Sequence, residues 1–497
     1  MTDSFDELKT RLGEIHDLRR TQELLFWDQT VMMPPGGGPV RSSQVTTLDR
    51  IAHERFVSDE IGRLLEQLEP HERDLDYDSD GASLIRVTRR DWAKARRVPA
   101  DLAAEMTRAA ADGHDVWAKA REESNFELFL PSLERNVELK RQYIECFAPY
   151  DDPYDPLLDD YEPGMKTSEV RAVFETLKRE LVPLIAEVAS DEPDEFMSGP
   201  FDVTRQHEIS VELLHAFGFD PQHYRLDRTV HPFCSSAGTQ DIRLTTRYKE
   251  DDLSSLFTAM HEGGHGLYEH GVSPTLERTP LCHGVSSALH ESQSRMWENV
   301  VGRSRPFWNW FYPRLQQAFP GTLGSVEQEH FYRAINRVKP SYIRVDADEA
   351  TYNLHIILRF ELEQEIFDGS LALRDLPDAW NARFEQYLGI PIPQDRVGVL
   401  QDVHWSGGGF GYFPTYSLGN IVSLQIWEKA REALPGVEND FEQGEFGRLH
   451  EWLQANLYTL GRKFTPQETL ERVTGGGIDA GPYVRYLKDK LGALAAA

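Results

Sequence analysis

Leu253-Ser254-Ser255-Leu256-Phe257-Thr258-Ala259-Met260-His261-Glu262-Gly263-Gly264-His265 is the stretch on which the rest of the chain turns. Apolar residues at 253, 256, 257 and 260 recur at three- and four-residue spacing, which predicts an amphipathic helix running into the His-Glu-Gly-Gly-His end. Positions i and i+4 share a helix face, so His261 and His265 can offer nitrogens to one metal ion while Glu262 stands beside it. A zinc peptidase needs that arrangement: two neutral nitrogen ligands, and a carboxylate close to the water the ion acidifies. A five-residue pattern also arises by chance, so it needs company. The two internal glycines each cost about 1 kcal/mol against alanine in a helix, which close packing or function would offset.

A third ligand sorts the class. The metzincin extension requires Gly at 268 and His at 271, and the chain has Tyr268 and Gly271, so that class is excluded. The other common solution is a Glu on a following helix. His290-Glu291-Ser292-Gln293 opens such a helix, with Leu289, Met296, Val300 and Val301 as its apolar stripe. Glu291 lies 26 residues after His265, room for a loop and a return helix; it is either the third ligand or a solvated helix charge. Glu298, two turns on, either orients a ligand or is an ordinary surface glutamate.

Working outward, Phe5–Ile15, Leu102–Arg121, Leu133–Phe147, Ser168–Val188 and Phe441–Leu460 show helical periodicity. Met33-Pro34-Pro35-Gly36-Gly37-Gly38 closes the first unit, and the Asp- and Pro-rich Tyr150–Pro163 reads as a loop. Tyr224–His231 and Asp241–Tyr248 alternate and are expected to pair as two strands, with Ser235-Ser236-Ala237-Gly238 between them. The runs Gly407-Gly408-Gly409 and Gly475-Gly476-Gly477 lack a following Gly-Lys-Ser/Thr and read as turns, not phosphate loops. No fixed-period repeat or sharp boundary appears. A single domain over 1–497 is expected, with a helical N-terminal lobe over about 1–220, catalytic blocks over about 221–420 and C-terminal helices over 421–497.

Composition narrows the class. In 497 residues, a hydrophobic fraction of 40% supports a folded core, which excludes disorder as the main state. The formal net charge of −29 argues against nucleic acid and anionic membranes as partners. No apolar run reaches the roughly 20 residues of a membrane helix, and the charged first twenty residues hold no leader-like segment. Three scattered cysteines, Cys146, Cys234 and Cys282, form neither a disulfide framework nor a metal clip. A cytoplasmic location is expected. Only 12 of 53 basic residues are Lys, a balance that fits a saline cytoplasm or a GC-rich genome.

Six ordered blocks resemble the carboxypeptidase Taq family of thermostable metallocarboxypeptidases: His231-Pro232-Phe233, Asp241-Ile242-Arg243-Leu244-Thr245, His261–His265, His290-Glu291-Ser292-Gln293, Ile343-Arg344-Val345-Asp346-Ala347-Asp348 and Gly398-Val399-Leu400-Gln401-Asp402-Val403-His404-Trp405. Phe26-Trp27-Asp28-Gln29 with Met33-Pro34, and Pro482-Tyr483-Val484-Arg485-Tyr486-Leu487, are similar to the family's two ends. The resemblance implies a mainly α peptidase fold with a deep active-site groove and a small β-sheet beside the metal, shared in outline with angiotensin-converting enzyme and thimet-type oligopeptidases. It implies a homodimer, one zinc (cobalt in some cases) per subunit, and broad release of C-terminal residues except proline from peptide substrates.

By the same resemblance His261, His265 and Glu291 hold the metal, and Glu262 is the general base that takes a proton from water and returns it to the leaving amine. His404 and Tyr416, 12 residues apart, are candidate oxyanion donors, with Tyr412 competing for the second role. A carboxypeptidase must pair the substrate's free α-carboxylate, and guanidinium does so bidentately. Arg344 is the first candidate unless Asp346 or Asp348 locks it; Arg243 and Thr245 follow. The remaining readings are an endo-acting oligopeptidase on the same metal core and a peptide-binding protein that has lost catalysis.

Overall fold

In the computed structural model, which describes residues 2–191 and 194–496, helices carry the chain from Thr2–Val31 to Gly481–Ala496. The fold is mainly α, and among the described residues no helix is long and apolar enough to cross a membrane. Ala100–Glu123, Phe126–Glu145 and Thr167–Val188 form where their apolar residues recur every three or four positions. The first helix runs well past Ile15, to Val31, just short of the Pro34-Pro35 break. Phe441–Leu460 is not one helix. It divides into the end of Val437–Phe441, then Gly447–Asn456 and a 3₁₀ turn at Tyr458–Leu460, because Gly444 at φ +75° turns the chain.

Two buried clusters organise the packing. Leu8, Leu12, Ile15, Leu64, Leu68 and Ile85 close on one another and on Val272, Leu276 and Leu281 from mid-chain. The larger cluster runs from Ala120 to Leu491 and takes in the residues around His261–His265. Apart from its mid-chain members, the first cluster ends near Ala95, and the second takes up the chain from Val98.

The sheet has three strands, β1 (Tyr224–Arg228), β2 (Cys234–Gly238) and β3 (Asp241–Thr246), in the order β1-β3-β2. This corrects the expected two-strand pair. β1 lies parallel to β3, from Tyr224↔Ile242 to Arg228↔Thr246, and the Ser-Ser-Ala-Gly connection is itself a strand antiparallel to β3. Small residues carry little intrinsic strand preference, but β3 offers a free edge and tertiary pairing decides. Ile242 and Leu244 point from β3 onto the helix Ser254–Gly271, where a Cβ on Gly266 would stand 2.9 Å from Leu244 and 3.1 Å from Ile242.

The motif glycines now have a physical reason. A Cβ on Gly264 would lie 2.3 Å from the carbonyl oxygen of Gln293, so only glycine lets the motif helix meet the helix Ser287–Arg295. That second helix is capped by Ser286, whose Oγ accepts from the Leu289 N–H, and by Glu162, which accepts from the Ala288 N–H at 2.5 Å. It continues as a π turn, Met296–Val301. On its other side Gly419, in the helix Phe413–Ala433, lies so close that a Cβ would stand 2.5 Å from Glu291 Cγ.

Candidate metal centre

His261 and His265 project from one face of the Ser254–Gly271 helix, and Glu291 reaches them from the helix packed against it. Glu291 Oε2 lies 3.5 Å from His261 Nε2 and 3.4 Å from His265 Nε2. A tetrahedral ion with bonds of about 2.0–2.1 Å sets its ligand atoms about 3.3–3.4 Å apart, so this N₂O donor set fits one divalent ion. Burial alone would raise the Glu291 carboxyl, but Arg295, His261 and His265 outweigh it and hold it well below the usual carboxylate range. Burial lowers His265 to about 4, keeping a neutral imidazole suited to ligation.

Each ligand is oriented from behind. His261 Nδ1 is 2.8 Å from Glu298 Oε2, and Arg295 links Glu291 (2.8 Å) to Glu298 (3.1 Å). The π turn carries Glu298 into this position. His265 Nδ1 meets His290 Nδ1 at 2.5 Å, and His290 Nε2 meets Glu269 Oε1 at 3.0 Å. With its Nε2 turned to the shared ligand point, neutral His265 carries its proton on Nδ1 and donates to His290, which then donates from Nε2 to Glu269. Glu269, His283 and His290 also bring ligand atoms within 4.8 Å of one another. In the hydrogen-bonded arrangement above, His290 ties this cluster to His265. In the sequence His290 stands in the His290-Glu291-Ser292-Gln293 block with no role of its own, and Glu269 is signalled by its i+4 spacing from His265.

Glu262 is buried beside its neighbouring ligand, and burial pushes its carboxyl up to about 7, with His261 opposing and Glu291 and Glu298 adding to the rise. A hollow of about 360 Å³ opens next to the ligands, lined by His265, Glu291, Tyr412, Tyr416, His283 and Arg462 among others. Tyr412 and Tyr416 thus share one wall, their rings 5.1 Å apart. His404 stands behind them with Nε2 3.4 Å from the Tyr416 hydroxyl, and burial lowers its pKa to about 4.

The carboxylate-anchor candidates fare differently. Arg344 is not locked by Asp346 or Asp348. Its Nε and Nη2 donate to Asp402 Oδ1 at 3.1 and 2.8 Å, and its Nη1 donates to the Tyr352 hydroxyl at 2.9 Å. The Arg344 guanidinium is buried, and each of its nitrogens makes a hydrogen bond to Asp402 or Tyr352. Arg243 donates from Nε and Nη2 to Asp241, both at 2.9 Å, and lies over the Trp27 ring at 4.2 Å, leaving Nη1 without a hydrogen bond among the described residues. Thr245 is fully buried; its Oγ1 accepts from the Phe233 N–H at 2.7 Å and donates to the Phe233 carbonyl at 2.9 Å, which fastens the His-Pro-Phe segment to β3.

The carboxypeptidase Taq (M32) metallopeptidase family matches residues 7–491. The chain belongs to that family. It is 42% identical over 484 residues to thermostable carboxypeptidase 1 of Thermus thermophilus, covering 95% of each chain, and 35% identical over 475 residues to carboxypeptidase 1 of Bacillus subtilis, covering 95% and 94%. The crystal structure of an M32 carboxypeptidase from Deinococcus radiodurans superposes with a TM-score of 0.96 at 40% identity over all of both chains. This member of the M32 family is a metallocarboxypeptidase, and the ion its family name implies has a fitting donor set in His261, His265 and Glu291.

Proposed function

We propose that the enzyme is a zinc carboxypeptidase of broad specificity, with cobalt able to replace zinc, one ion per subunit held by His261, His265 and Glu291. The convergence of three ligand atoms within 4.8 Å of one another, with Glu291 Oε2 3.4–3.5 Å from the two imidazole nitrogens, beside the buried Glu262 carries the reading. Bound there, the ion would polarise a carbonyl oxygen and acidify a water. Glu262 takes the proton of the attacking water and hands it to the leaving nitrogen; its elevated pKa suits both halves of that transfer. Tyr416, with Tyr412 beside it, keeps its hydroxyl proton because burial raises its pKa, and so can donate to a developing oxyanion. Neutral His404 supplies a further N–H.

Arg243 is the stronger anchor for the substrate α-carboxylate, because Nη1 remains available while Arg344 is committed to Asp402 and Tyr352. The family resemblance supports a homodimer, and three free thiols support a cytoplasmic location where peptides are the substrates. A digest of a peptide library by the zinc-loaded enzyme, read by mass spectrometry, tests the reading. Single residues should leave free C-termini while amidated copies stay intact. Arg243→Ala should erase most of that discrimination and Arg344→Ala less of it. Equal cleavage of free and amidated peptides would instead indicate an endopeptidase.

A further inference from the structure

We propose that Arg359 and Glu363, one turn apart on the helix Tyr352–Asp368, are positioning residues that clasp the segment Asp402–Tyr412 from behind and so set where His404 presents its ring. The inference rests on the reading of His404 given above. Both side chains have 0% exposure, and a charge is buried at a cost of several kcal/mol unless its partners compensate. Three of their partners, Asp402, Trp405 and Gly411, belong to one segment, while His355 lies on the same helix and Tyr154 on another element. Arg359 Nε donates to Asp402 Oδ2 at 2.7 Å, and its Nη1 donates to the carbonyl of His355 at 2.5 Å. Glu363 Oε1 accepts from Trp405 Nε1 at 2.6 Å, and Oε2 accepts from the Gly411 N–H at 2.9 Å and the Tyr154 hydroxyl at 2.6 Å.

Residues i and i+4 share a helix face, so one face of this helix holds Asp402 before His404 and Trp405 and Gly411 after it. The chain between needs holding. It contains the 3₁₀ turn His404–Gly407 and the glycine run 407–409, with Gly408 at φ +69° and Gly411 at φ +85°. Such a stretch retains much backbone freedom unless fixed from outside. From the far side Asn136 Nδ2 donates to the carbonyls of Trp405 and Ser406 at 3.0 and 2.8 Å. The His404 ring packs against Phe413 and Tyr412, with centroids 4.5 and 5.6 Å away, but hydrogen bonds do little to fix it: Nδ1 makes none among the described residues and stands 3.9 Å from Asp402 Oδ1, and Nε2 has the Tyr416 hydroxyl at 3.4 Å. Its placement therefore depends on the segment that carries it.

The test is a double-mutant cycle on the metal-saturated full-length enzyme with Glu363→Gln, Arg359→Met, Arg359→Lys and His404→Ala. Glu363→Gln and Arg359→Met should each lower kcat about 10- to 100-fold, the range for residues that orient a catalytic group, with KM and metal affinity within about twofold. Arg359→Lys, which keeps a cation for Asp402, should recover part of the loss. In the His404→Ala background the same substitutions should cost less than about twofold more, because the group they position is gone. If Arg359→Met does not fold, Glu363→Gln completes the cycle alone. Losses as large in the His404→Ala background as in wild type, or an unchanged kcat in Glu363→Gln, would overturn the inference and leave the role of His404 standing. A kcat unaffected by His404→Ala would overturn that role, and the inference with it.

Discussion

Glu262 and Glu291 are two carboxylates beside one ligand point, and their surroundings pull them apart. Arg295 and the two imidazoles keep Glu291 ionised well below its ordinary range, as a ligand requires. Glu262 makes no ion pair with an Arg or Lys among the described residues, and burial, opposed by His261, lifts it to about 7, where a carboxyl can both take and give a proton near neutral pH. The division of labour is set by neighbours and not by residue type. Glu262→Gln should therefore bind metal like wild type and lose about 10²–10⁴ in kcat, the usual value of a general base. A steady-state assay on metal-loaded protein checks it, and a loss below tenfold would remove Glu262 from the role.

At the scale of elements, two glycines decide how near the ligand helix can come to its neighbours. Gly264 admits Gln293 from one side and Gly419 admits Glu291 from the other, with added Cβ atoms at 2.3 and 2.5 Å. Gly419→Ala should push Glu291 off the ligand point: about 1–3 kcal/mol of stability lost to overpacking, and weaker metal binding with it. Chelator competition beside thermal melting reads both, and unchanged affinity would mean that Glu291 is free to relax. The pairing of His261 with His265 could be read in the sequence because i, i+4 spacing is a local signal, whereas Glu291 stayed either a ligand or a helix charge until the family resemblance singled it out. β2 could not, since Cys234–Gly238 is a strand only because β3 presents an edge. The Arg344–Asp402 pair joins residues 58 apart in sequence, and no periodicity announces it. Arg359 and Glu363 were equally hidden, because a buried charge is spelled like a solvated one.

For the whole molecule, buried carboxyls act in opposite directions on stability. Glu298, which burial would raise but Arg295 and His261 bring down to about 2, and Glu291 and Asp402, held low by Arg295 and by Arg344 and Arg359 against the same burial, contribute stability that is lost as pH falls below about 4.5. Glu162 and Glu363, which burial raises to about 8 and 7, contribute stability that is present at low pH and lost as pH rises through those values. The metal-free protein should melt highest near pH 5–6 and decline on both sides. A maximum at pH 8 or above would contradict these assignments. The net charge of −29 pushes the same way, so melting temperature should also rise from low to molar salt as the Debye length falls to about 3 Å; a flat profile would leave the acid excess to genome composition.

The claim that everything else rests on is that one ion sits on His261, His265 and Glu291 with Glu262 beside it and outside its ligand set. A zinc-binding isotherm on metal-free protein, by competition with a chromophoric chelator, tests it most directly. Wild type and Glu262→Gln should each bind one tight equivalent per chain with affinities within a few-fold. Glu291→Ala should lose that equivalent to the chelator. Wild-type affinity in Glu291→Ala, or loss of the ion in Glu262→Gln, would contradict the account.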